Sequence, residues 1–232
     1  MYATRQSYEE SNKVTLTGEV FDQPTYSHEV FGEAFYEVLL KVKRLSDAYD
    51  LLPLTVSERL TCAFPLCVGK QISLKGQLRS YNKLMDGKSK LLLSVFVREL
   101  YEADPSYNPN SIELSGFLCK QPIFRTTPFN REICDLLLAV NRAYNKSDYI
   151  PAIAWGRNAR FVKFLPIGQE VKIKGRLQSR DYQKKINDAE VITKTAYEVS
   201  VSKIMVVREE AADVDAQRIV GYDDGAAYEA SL

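Results

Sequence analysis

Hydrophobic and polar residues alternate with a period of two along most of this chain. Such alternation is typical of β-strands with one buried face. Two apolar runs, at residues 38–42 and 136–140, predict buried or half-buried strands, and residues 90–97 and 195–206 predict the last strand of each half. The alternation is clearest in four stretches that end in glycine: Val14-Thr15-Leu16-Thr17-Gly18, Ile72-Ser73-Leu74-Lys75-Gly76, Ile112-Glu113-Leu114-Ser115-Gly116 and Val171-Lys172-Ile173-Lys174-Gly175.

An internal repeat relates the two halves of the chain. Residues 12–44 align with residues 110–142 without a gap, and ten of the 33 aligned positions are identical. The same offset of 98 residues places Asp50 on Asp148. A period near 100 residues is too long for a solenoid and indicates two copies of one domain.

Helical patterns are confined to two short segments, each after the third predicted strand of its half. Residues 158–164 form one candidate helix, and residues 56–64 form its counterpart, which ends at Pro65. Five strands with one helix after the third is the order of an OB-fold, a small and partly open Greek-key barrel. The predicted fold class is therefore all-β, with two tandem OB-folds.

Composition suggests three parts. A linker rich in Pro, Ser and Asn separates a first domain, residues 1–103, from a second domain, residues 110–207. From residue 208 to residue 232 the chain is rich in Ala, Asp and Gly, so a flexible acidic tail is expected there. A chain of 232 residues is long enough for two domains of this size.

The formal net charge of +1 conceals an uneven distribution. Residues 12–99 contain 12 basic and 10 acidic side chains, whereas residues 110–207 contain 16 basic and 9 acidic ones. The last 25 residues contain 2 basic and 7 acidic side chains. The second domain is therefore the candidate for binding a polyanion.

Several classes of protein are disfavoured. No run of 18 apolar residues is present, and residues 1–11 lack the apolar core of a secretory signal, so we expect a cytoplasmic protein without a membrane span. The four cysteines, Cys62, Cys67, Cys119 and Cys134, do not have zinc-ligand spacing, and His28 is the only histidine. Free thiols and no metal or other cofactor are therefore expected.

Catalytic motifs are also missing from the sequence. There is no glycine-rich phosphate loop, and the acidic pairs at residues 9–10 and 223–224 are neighbours near the chain ends, not opposed carboxylates. We therefore expect a protein that is not an enzyme.

Aromatic residues alternate with Arg and Lys between residues 141 and 182, a composition typical of surfaces that stack bases and neutralise phosphates. With the motifs around this segment, the second domain resembles the bacterial single-stranded DNA-binding protein (SSB) family. The matching motifs occur in the family's order at residues 112–116, 138–142, 148–151, 154–156 and 168–180. In the first domain the resemblance is confined to residues 12–18, 39–44 and 69–80.

The resemblance implies a set of nucleic-acid-binding residues. Bases would stack on Tyr144, Tyr149, Trp155 and Tyr182. Each has a structural alternative: Trp155 could be a core residue, although Ile153 is expected to face inward instead, and tyrosine is common on any β-surface. Phosphates would contact basic side chains on the strands, the helix and a protruding hairpin: Arg142, Arg157, Lys172, Lys174, Arg176, Arg180, Lys184 and Lys185.

The first domain departs from this pattern. Ser57 stands at the position of Trp155, Leu51 at that of Tyr149, and Lys83 at that of Tyr182, although Tyr81 and Tyr49 are nearby. We therefore expect the first domain to bind DNA weakly and to serve mainly in assembly.

The resemblance implies sequence-independent binding of single-stranded DNA in replication, recombination or repair, by a homodimer that presents four OB-folds. It also implies recruitment of replication or repair proteins by the acidic tail, although the chain ends in Ser231-Leu232 where the family has Pro-Phe. Two alternatives stay open: a primosomal-type accessory protein, and an oligomerisation module that acts through protein contacts.

Overall fold

Twelve strands and two short helices make up the described part of the chain. The computed structural model describes residues 11–44, 46–85, 88–104, 109–185 and 191–207, and the acidic tail predicted at 208–232 lies outside them. The elements of the first half are β1 (Asn12–Val20), β2 (Thr25–Val30), β3 (Glu33–Lys43), β4 (Tyr49–Ser57), α1 (Glu58–Ala63), β5 (Gln71–Met85) and β6 (Lys88–Glu102). Those of the second half are β7 (Asn110–Leu118), β8 (Ile123–Thr126), β9 (Glu132–Arg142), β10 (Lys146–Trp155), α2 (Arg157–Val162), β11 (Glu170–Lys185) and β12 (Val191–Val206).

Each half closes into a small barrel. In the first half, β1 pairs with β3 and β5, β4 pairs with β3, and β6 closes the ring by pairing antiparallel with β5 and parallel with β4. The second half repeats these pairings with β7 to β12. The helix of each half follows its β4 or β10 strand. The predicted all-β class with two tandem OB-folds is confirmed.

The first strand of each barrel is interrupted, so six strands stand where five were predicted. After β1 the chain breaks at Pro24 and resumes as β2, which also pairs with β3. Pro122 occupies the same place before β8. Proline has no backbone N–H to donate to a ladder, which explains why the break falls at the same point in both copies.

Close approach of two strands explains the glycine that ends the alternation in β7. A Cβ on Gly116 would lie 2.6 Å from the carbonyl oxygen of Ala139 and 3.0 Å from Cγ2 of Val140. Gly18 meets the carbonyl oxygen of Lys41 in the same way in the first half. Glycine therefore lets the first strand cross tightly over the second strand of the barrel.

The two barrels are joined by antiparallel pairing of β1 with β7. Val14 lies opposite Ile112, which is its own counterpart at the 98-residue offset. An approximate two-fold axis therefore passes through this pair, and the ladder runs from Asn12 opposite Leu114 to Leu16 opposite Asn110. Both valine and isoleucine are fully buried, so the apolar core is continuous across the junction.

Two buried asparagines tie the strands of each barrel together. The side chain of Asn12 donates to the carbonyl of Leu78 and accepts from its N–H, at 2.8 and 2.9 Å. Asn110 makes the same pair of bonds with Leu177, at 2.7 and 2.9 Å. A side-chain amide has both a donor and an acceptor, so it can bond to the C=O and the N–H of the same buried residue. The identity of Asn12 and Asn110 in the repeat therefore has a structural cause.

The predicted helices are present but shorter. Helix α1 covers Glu58–Ala63 and α2 covers Arg157–Val162, each within or close to its predicted segment. Ala159 and Val162 of α2 are buried against the barrel. Among the residues that the structure describes, no helix has the length and apolar character needed to cross a membrane.

Candidate nucleic-acid interface

Trp155 lies at the end of β10 on the outer side of the second barrel. Its neighbour Ala154 is fully buried in the core, and successive strand residues point to opposite faces. The indole is half-buried and donates its N–H to Oγ of Ser200 on β12, at 3.1 Å. One bond therefore fixes the edge of the ring on the barrel surface.

The sequence-based orientation of Ile153 is wrong. Ile153 and Trp155 are two residues apart on one strand and share its outer face, whereas Ala152 and Ala154 belong to the core cluster. Ile153 is nevertheless only 4% exposed. Ile153 is thus buried although it lies on the outer face. Its apolar character therefore could not indicate which face of β10 points inward.

Two predicted cationic residues lie on the same outer face as Trp155. Arg176 on β11 is directly opposite Ser200, the residue that holds the indole, and its side chain is half-buried. Further along the same face Arg180 is exposed, with Nε 3.5 Å from a carboxylate oxygen of Glu198. The outer face of β10, β12 and β11 thus combines an aromatic ring with two guanidinium groups.

Tyr149 lies on the same face of β10 as Trp155, about 20 Å away at the rise expected for a strand. Its side chain is 45% exposed. The backbone N–H of Tyr149 donates to Oγ of Ser80 in the first domain, at 2.7 Å. Tyr149 therefore lies where the two domains meet.

Tyr144 is the most exposed of the predicted stacking residues. It lies in the three-residue turn between β9 and β10 with a φ of 62°, and 94% of its side chain is accessible. A left-handed conformation is unfavourable for a bulky residue, and such strain in an exposed aromatic suggests a function.

Arg142 is engaged in an ion pair at the domain boundary. Its guanidinium lies 3.4 Å from Oδ1 of Asp148, which is fully buried. Arg79 of the first domain contacts the other oxygen of Asp148, at 2.9 Å. Burial is the main cause that lowers the pKa of Arg79, and the bond to Asp148 opposes it. The side chain of Arg142 thus reaches the junction between the domains.

Lys172 and Lys174 lie near the start of β11 on its outer face. Both are exposed while Val171 and Ile173 are buried, as the alternation predicts. Lys172 and Lys174 share their face of β11 with Arg176, because the extra residue of the bulge beside Gly175 is Ser202 on β12. They line a shallow groove of about 480 Å³ shared with Lys13, Glu113 and Lys203, and Lys174 lies 2.7 Å from the carboxylate of Glu113.

The remaining predicted contact residues lie on α2 and on the hairpin formed by β11 and β12. Arg157 is exposed at the first residue of α2. Tyr182 is 37% exposed and pairs with Lys194 where β11 and β12 extend from the barrel as a hairpin. The backbones of Lys184 and Lys185 continue this hairpin, but their side chains lie outside the described residues, as do residues 186–190.

Sequence reasoning named Tyr81 but missed the other members of a second cluster, on the outer face of the first domain. A groove of about 660 Å³ lies there, and Arg142 and Tyr144 of the second domain reach its edge. Burial raises the pKa of the Tyr81 hydroxyl, with a smaller contribution from the charge of Glu37. The residues of the first domain that line the groove with aromatic or cationic side chains are His28, Tyr81, Phe96, Arg79 and Arg98.

This cluster escaped detection because the repeat alignment ends at β5. Gly76 pairs with Val97, 21 residues later, whereas Gly175 pairs with Val201, 26 residues later. The hairpins therefore differ in length by five residues, and β6 cannot be aligned with β12 by a constant offset. Anchoring the alignment on the last apolar alternation of each half would have found Phe96.

Metal-binding groups do not converge in the described structure. Within the described ranges, no three His, Cys, Asp or Glu side chains come together in an arrangement that would hold a metal ion. The four cysteines are free thiols.

Comparison with known proteins places these features in context. The family model described as "Single-strand binding protein family" matches residues 109–207. The crystal structure of the wild-type single-stranded DNA binding protein from Thermus aquaticus has the same fold over 89% of this chain and 98% of its own, with a TM-score of 0.72 and 20% identity.

Curated relatives match the second domain. Single-stranded DNA-binding protein A of Bacillus subtilis is 36% identical over 81 residues, and the single-stranded DNA-binding protein of Clostridium tetani is 31% identical over 91 residues. These matches cover 32% and 36% of this chain, and only 47% and 63% of those proteins. Single-stranded DNA-binding protein 1 of Clostridium acetobutylicum is 35% identical over 99 residues, which cover 38% of this chain and 88% of that protein. The chain therefore belongs to the single-strand binding protein family.

Proposed function

We propose that this protein binds single-stranded DNA without sequence preference and protects it during replication, recombination or repair. The observation that carries the proposal is the position of Trp155, half-exposed outside the barrel and on the same outer face as Arg176. An aromatic ring stacks on any base, and a neighbouring cation neutralises the phosphate. The family of the chain and the names of its relatives support the same function.

The second domain would carry the main binding surface. Trp155, Tyr149 and Tyr182 supply rings along β10 and β11, and Tyr144 adds one at the domain boundary. Arg176, Arg180 and Arg157 would meet phosphates near these rings. The other cations of the proposed set are Arg142, Lys172, Lys174, Lys184 and Lys185. The first domain would contribute mainly to assembly, since β1 completes the sheet with β7.

We also propose that two chains associate into a homodimer with four OB-folds, as the family resemblance implies, and that the protein acts in the cytoplasm. Light scattering of the full chain measures its mass directly. A mass of one chain at micromolar concentration would contradict the dimer. Partner proteins recruited by residues 208–232 belong to the same proposal, although these residues lie outside the described structure.

The single tryptophan gives a direct test of DNA binding. Titration with oligo-dT should quench the fluorescence of Trp155, because a stacked base contacts the indole. The logarithm of affinity should fall linearly with the logarithm of salt concentration, with a slope of about −0.7 per neutralised phosphate. Absence of both quenching and a mobility shift at low salt would refute the proposal and favour a protein-contact module.

A pair of variants locates the stacking contribution. Trp155→Ala should weaken oligo-dT binding by about 1–3 kcal/mol, whereas Trp155→Phe keeps an aromatic face and should recover much of the loss. Fluorescence anisotropy of a labelled oligonucleotide measures both without relying on the indole. Equal affinity of Trp155→Ala and the wild type would exclude stacking on this ring.

A further inference from the structure

An aromatic residue has changed strands between the two domains. Leu54 pairs with Val95 in the first domain and Ala152 pairs with Val199 in the second, both in parallel. Because Leu54 and Ala152 correspond at the 98-residue offset, Phe96 of β6 corresponds to Ser200 of β12. The corresponding pairs are thus Trp155 with Ser200 in the second domain and Ser57 with Phe96 in the first.

This exchange changes what Ser57 indicates about the binding surface of the first domain. Serine at the tryptophan position suggests that the first domain has lost its aromatic surface. In the structure, each domain retains one ring and one serine at these two positions, but in the first domain the ring stands on β6 and not on β4. Ser57 itself is only 6% exposed. The outer face of the first barrel is therefore still aromatic.

Phe96 is part of a preformed groove. One side of its ring packs on Phe35, with ring centroids 5.7 Å apart, and the side chain remains half-exposed. The guanidinium of Arg98 lies 5.0 Å from the centre of the Phe96 ring. Tyr81, 43% exposed, lines the same groove. The groove of about 660 Å³ is large enough for a nucleotide-sized ligand.

Charge in the groove favours an anion. Arg79, Arg98 and Arg142 line it, together with a single acidic residue, Glu37. Glu37 accepts a hydrogen bond from the hydroxyl of Ser27, at 2.7 Å. Arg79 and Arg142 share the buried carboxylate of Asp148, which fixes their positions. Guanidinium groups held in place lose little freedom when they bind phosphate.

The groove also crosses the domain boundary. Tyr144 lies at its edge with its strained backbone and exposed ring, and it belongs to the second domain. The N–H of Tyr149 bonds to Ser80, which lines the groove from the first domain. A strand that leaves the groove past Tyr144 therefore reaches Tyr149 and the outer face of β10.

We propose that this groove is a nucleotide subsite for the same DNA strand that passes over the second domain. A base stacks on Phe96 and Tyr81, and Arg98 and Arg142 contact the adjacent phosphates. The subsite rests on the proposed function, because it is an extension of the single-stranded DNA track. It gives the first domain a direct role in binding in addition to assembly.

The length of DNA covered by the full chain tests the subsite. OB-folds occupy roughly 4–16 nucleotides each, so loss of one subsite should shorten the covered length by a few nucleotides. Phe96→Ala and Arg98→Ala are the test variants. Tyr101→Ala and Arg59→Ala are matched controls, because both residues are exposed in the first domain and neither lines the groove. Stoichiometric titration of poly-dT gives the length, and circular dichroism verifies folding.

The expected results differ for the two variants. Phe96→Ala should lower affinity for a long oligo-dT by about five- to 150-fold, as loss of one stacked base does. Arg98→Ala should reduce the magnitude of the salt slope by about 0.7. Both should shorten the covered length, whereas the controls should leave it unchanged. Unchanged length and salt slope in the Phe96→Ala, Arg98→Ala double variant would overturn the subsite.

Photo-crosslinking of the wild type provides a measurement that does not depend on the folding of a variant. Oligo-dT that contains 5-bromodeoxyuridine should crosslink to Phe96 or Tyr81 of the first domain as well as to Trp155. Crosslinks restricted to the second-domain face would refute the subsite while leaving the proposed function intact. If the wild type does not bind oligo-dT at all, both proposals fail together.

Discussion

The carboxylate of Asp148 accepts a hydrogen bond of 2.8 Å from the backbone N–H of Ser80, which belongs to the other domain. The counterpart of this contact is the 2.7 Å bond from the N–H of Ser179 to Asp50. Both aspartates are buried, and each is also bound by an arginine of its own domain, Arg142 or Arg44. The pair of reciprocal contacts holds the two barrels in one orientation.

Removal of the Asp148 carboxylate should therefore destabilise the protein strongly. Asp148→Ala leaves the largely buried guanidinium of Arg79 without its charge partner, and we expect a loss of about 3–5 kcal/mol in the free energy of unfolding. Asp135→Ala is the control, because its ion pair with Arg125 is exposed and should contribute about 0–1 kcal/mol. Urea denaturation measures both, and equal losses would contradict the structural role of Asp148.

Gly116→Ala should destabilise the second barrel through a backbone clash. The new methyl group would meet the carbonyl oxygen of Ala139 at 2.6 Å, so β7 or β9 must shift. Overpacking of this kind costs about 1–3 kcal/mol. Ser111→Ala on the same strand should change the stability by less than about 0.5 kcal/mol. Thermal denaturation compares them, and a neutral Gly116→Ala would show that the strands are not in close contact.

Replacement of Tyr144 should increase the stability of the protein and weaken its binding of DNA. Asparagine tolerates a left-handed backbone better than tyrosine, so Tyr144→Asn should raise the free energy of unfolding by up to about 1 kcal/mol. The same variant should bind oligo-dT more weakly, by about 1–3 kcal/mol, because the exposed ring is lost. Asn145→Gly alters the same turn but keeps the ring, and should bind normally. A less stable Tyr144→Asn would contradict strain at this position.

Thiol reactivity should divide the cysteines by burial. Burial, followed by the charge of Asp135, raises the pKa of Cys134 from its ordinary 9.0 to about 11. At pH 8 its thiolate fraction should be on the order of one in a thousand, so it should react only after unfolding. Exposed Cys62 and Cys67 should react at once, and Cys119 is half-buried. Rapid reaction of all four thiols in native protein would contradict this ordering.

The same shift predicts how stability depends on pH. Because the pKa of Cys134 is higher in the folded state, its neutral thiol stabilises the fold fully below about pH 9. This contribution is lost as the pH rises toward 11. Cys134→Ser should show less of the decline between pH 9 and 11 in thermal denaturation. An identical decline in the variant would assign the loss of stability to other groups.

Local patterns predicted most of the fold. Alternating residues such as Val14 and Leu16 lie in buried strand positions, and the repeat predicted two barrels. The interruption at Pro24 was not predicted, because a strand break depends on how the ladder pairs. The identity of Asp50 and Asp148 was visible in the repeat, but its cause was not. Their partners, Ser179 and Ser80, are 129 and 68 residues away in sequence.

The candidate interface was less predictable than the fold. Matching motifs identified Trp155, but periodicity did not distinguish its face from that of Ile153. Arg142 was expected to contact phosphate, and nothing in the sequence indicated its ion pair with Asp148. Phe96 was missed because the hairpins of the two halves differ in length, so the repeat offset does not align β6 with β12. A ring can move to the paired strand and still occupy the same surface.

The junction between β1 and β7 determines what each half would do alone. If each half were produced alone, with the chain divided between Glu102 and Asn110, β1 and β7 would lose their partner strand. Their backbone groups would then be exposed along an apolar edge. Such an edge pairs readily with another copy of itself. Because equivalent residues Val14 and Ile112 already face each other, each severed half has a self-complementary template and should form its own symmetric pair. Because one chain carries both domains, the first domain pairs with the second and not with a copy of itself. The sequences of the two domains can therefore differ, and each can take a different role.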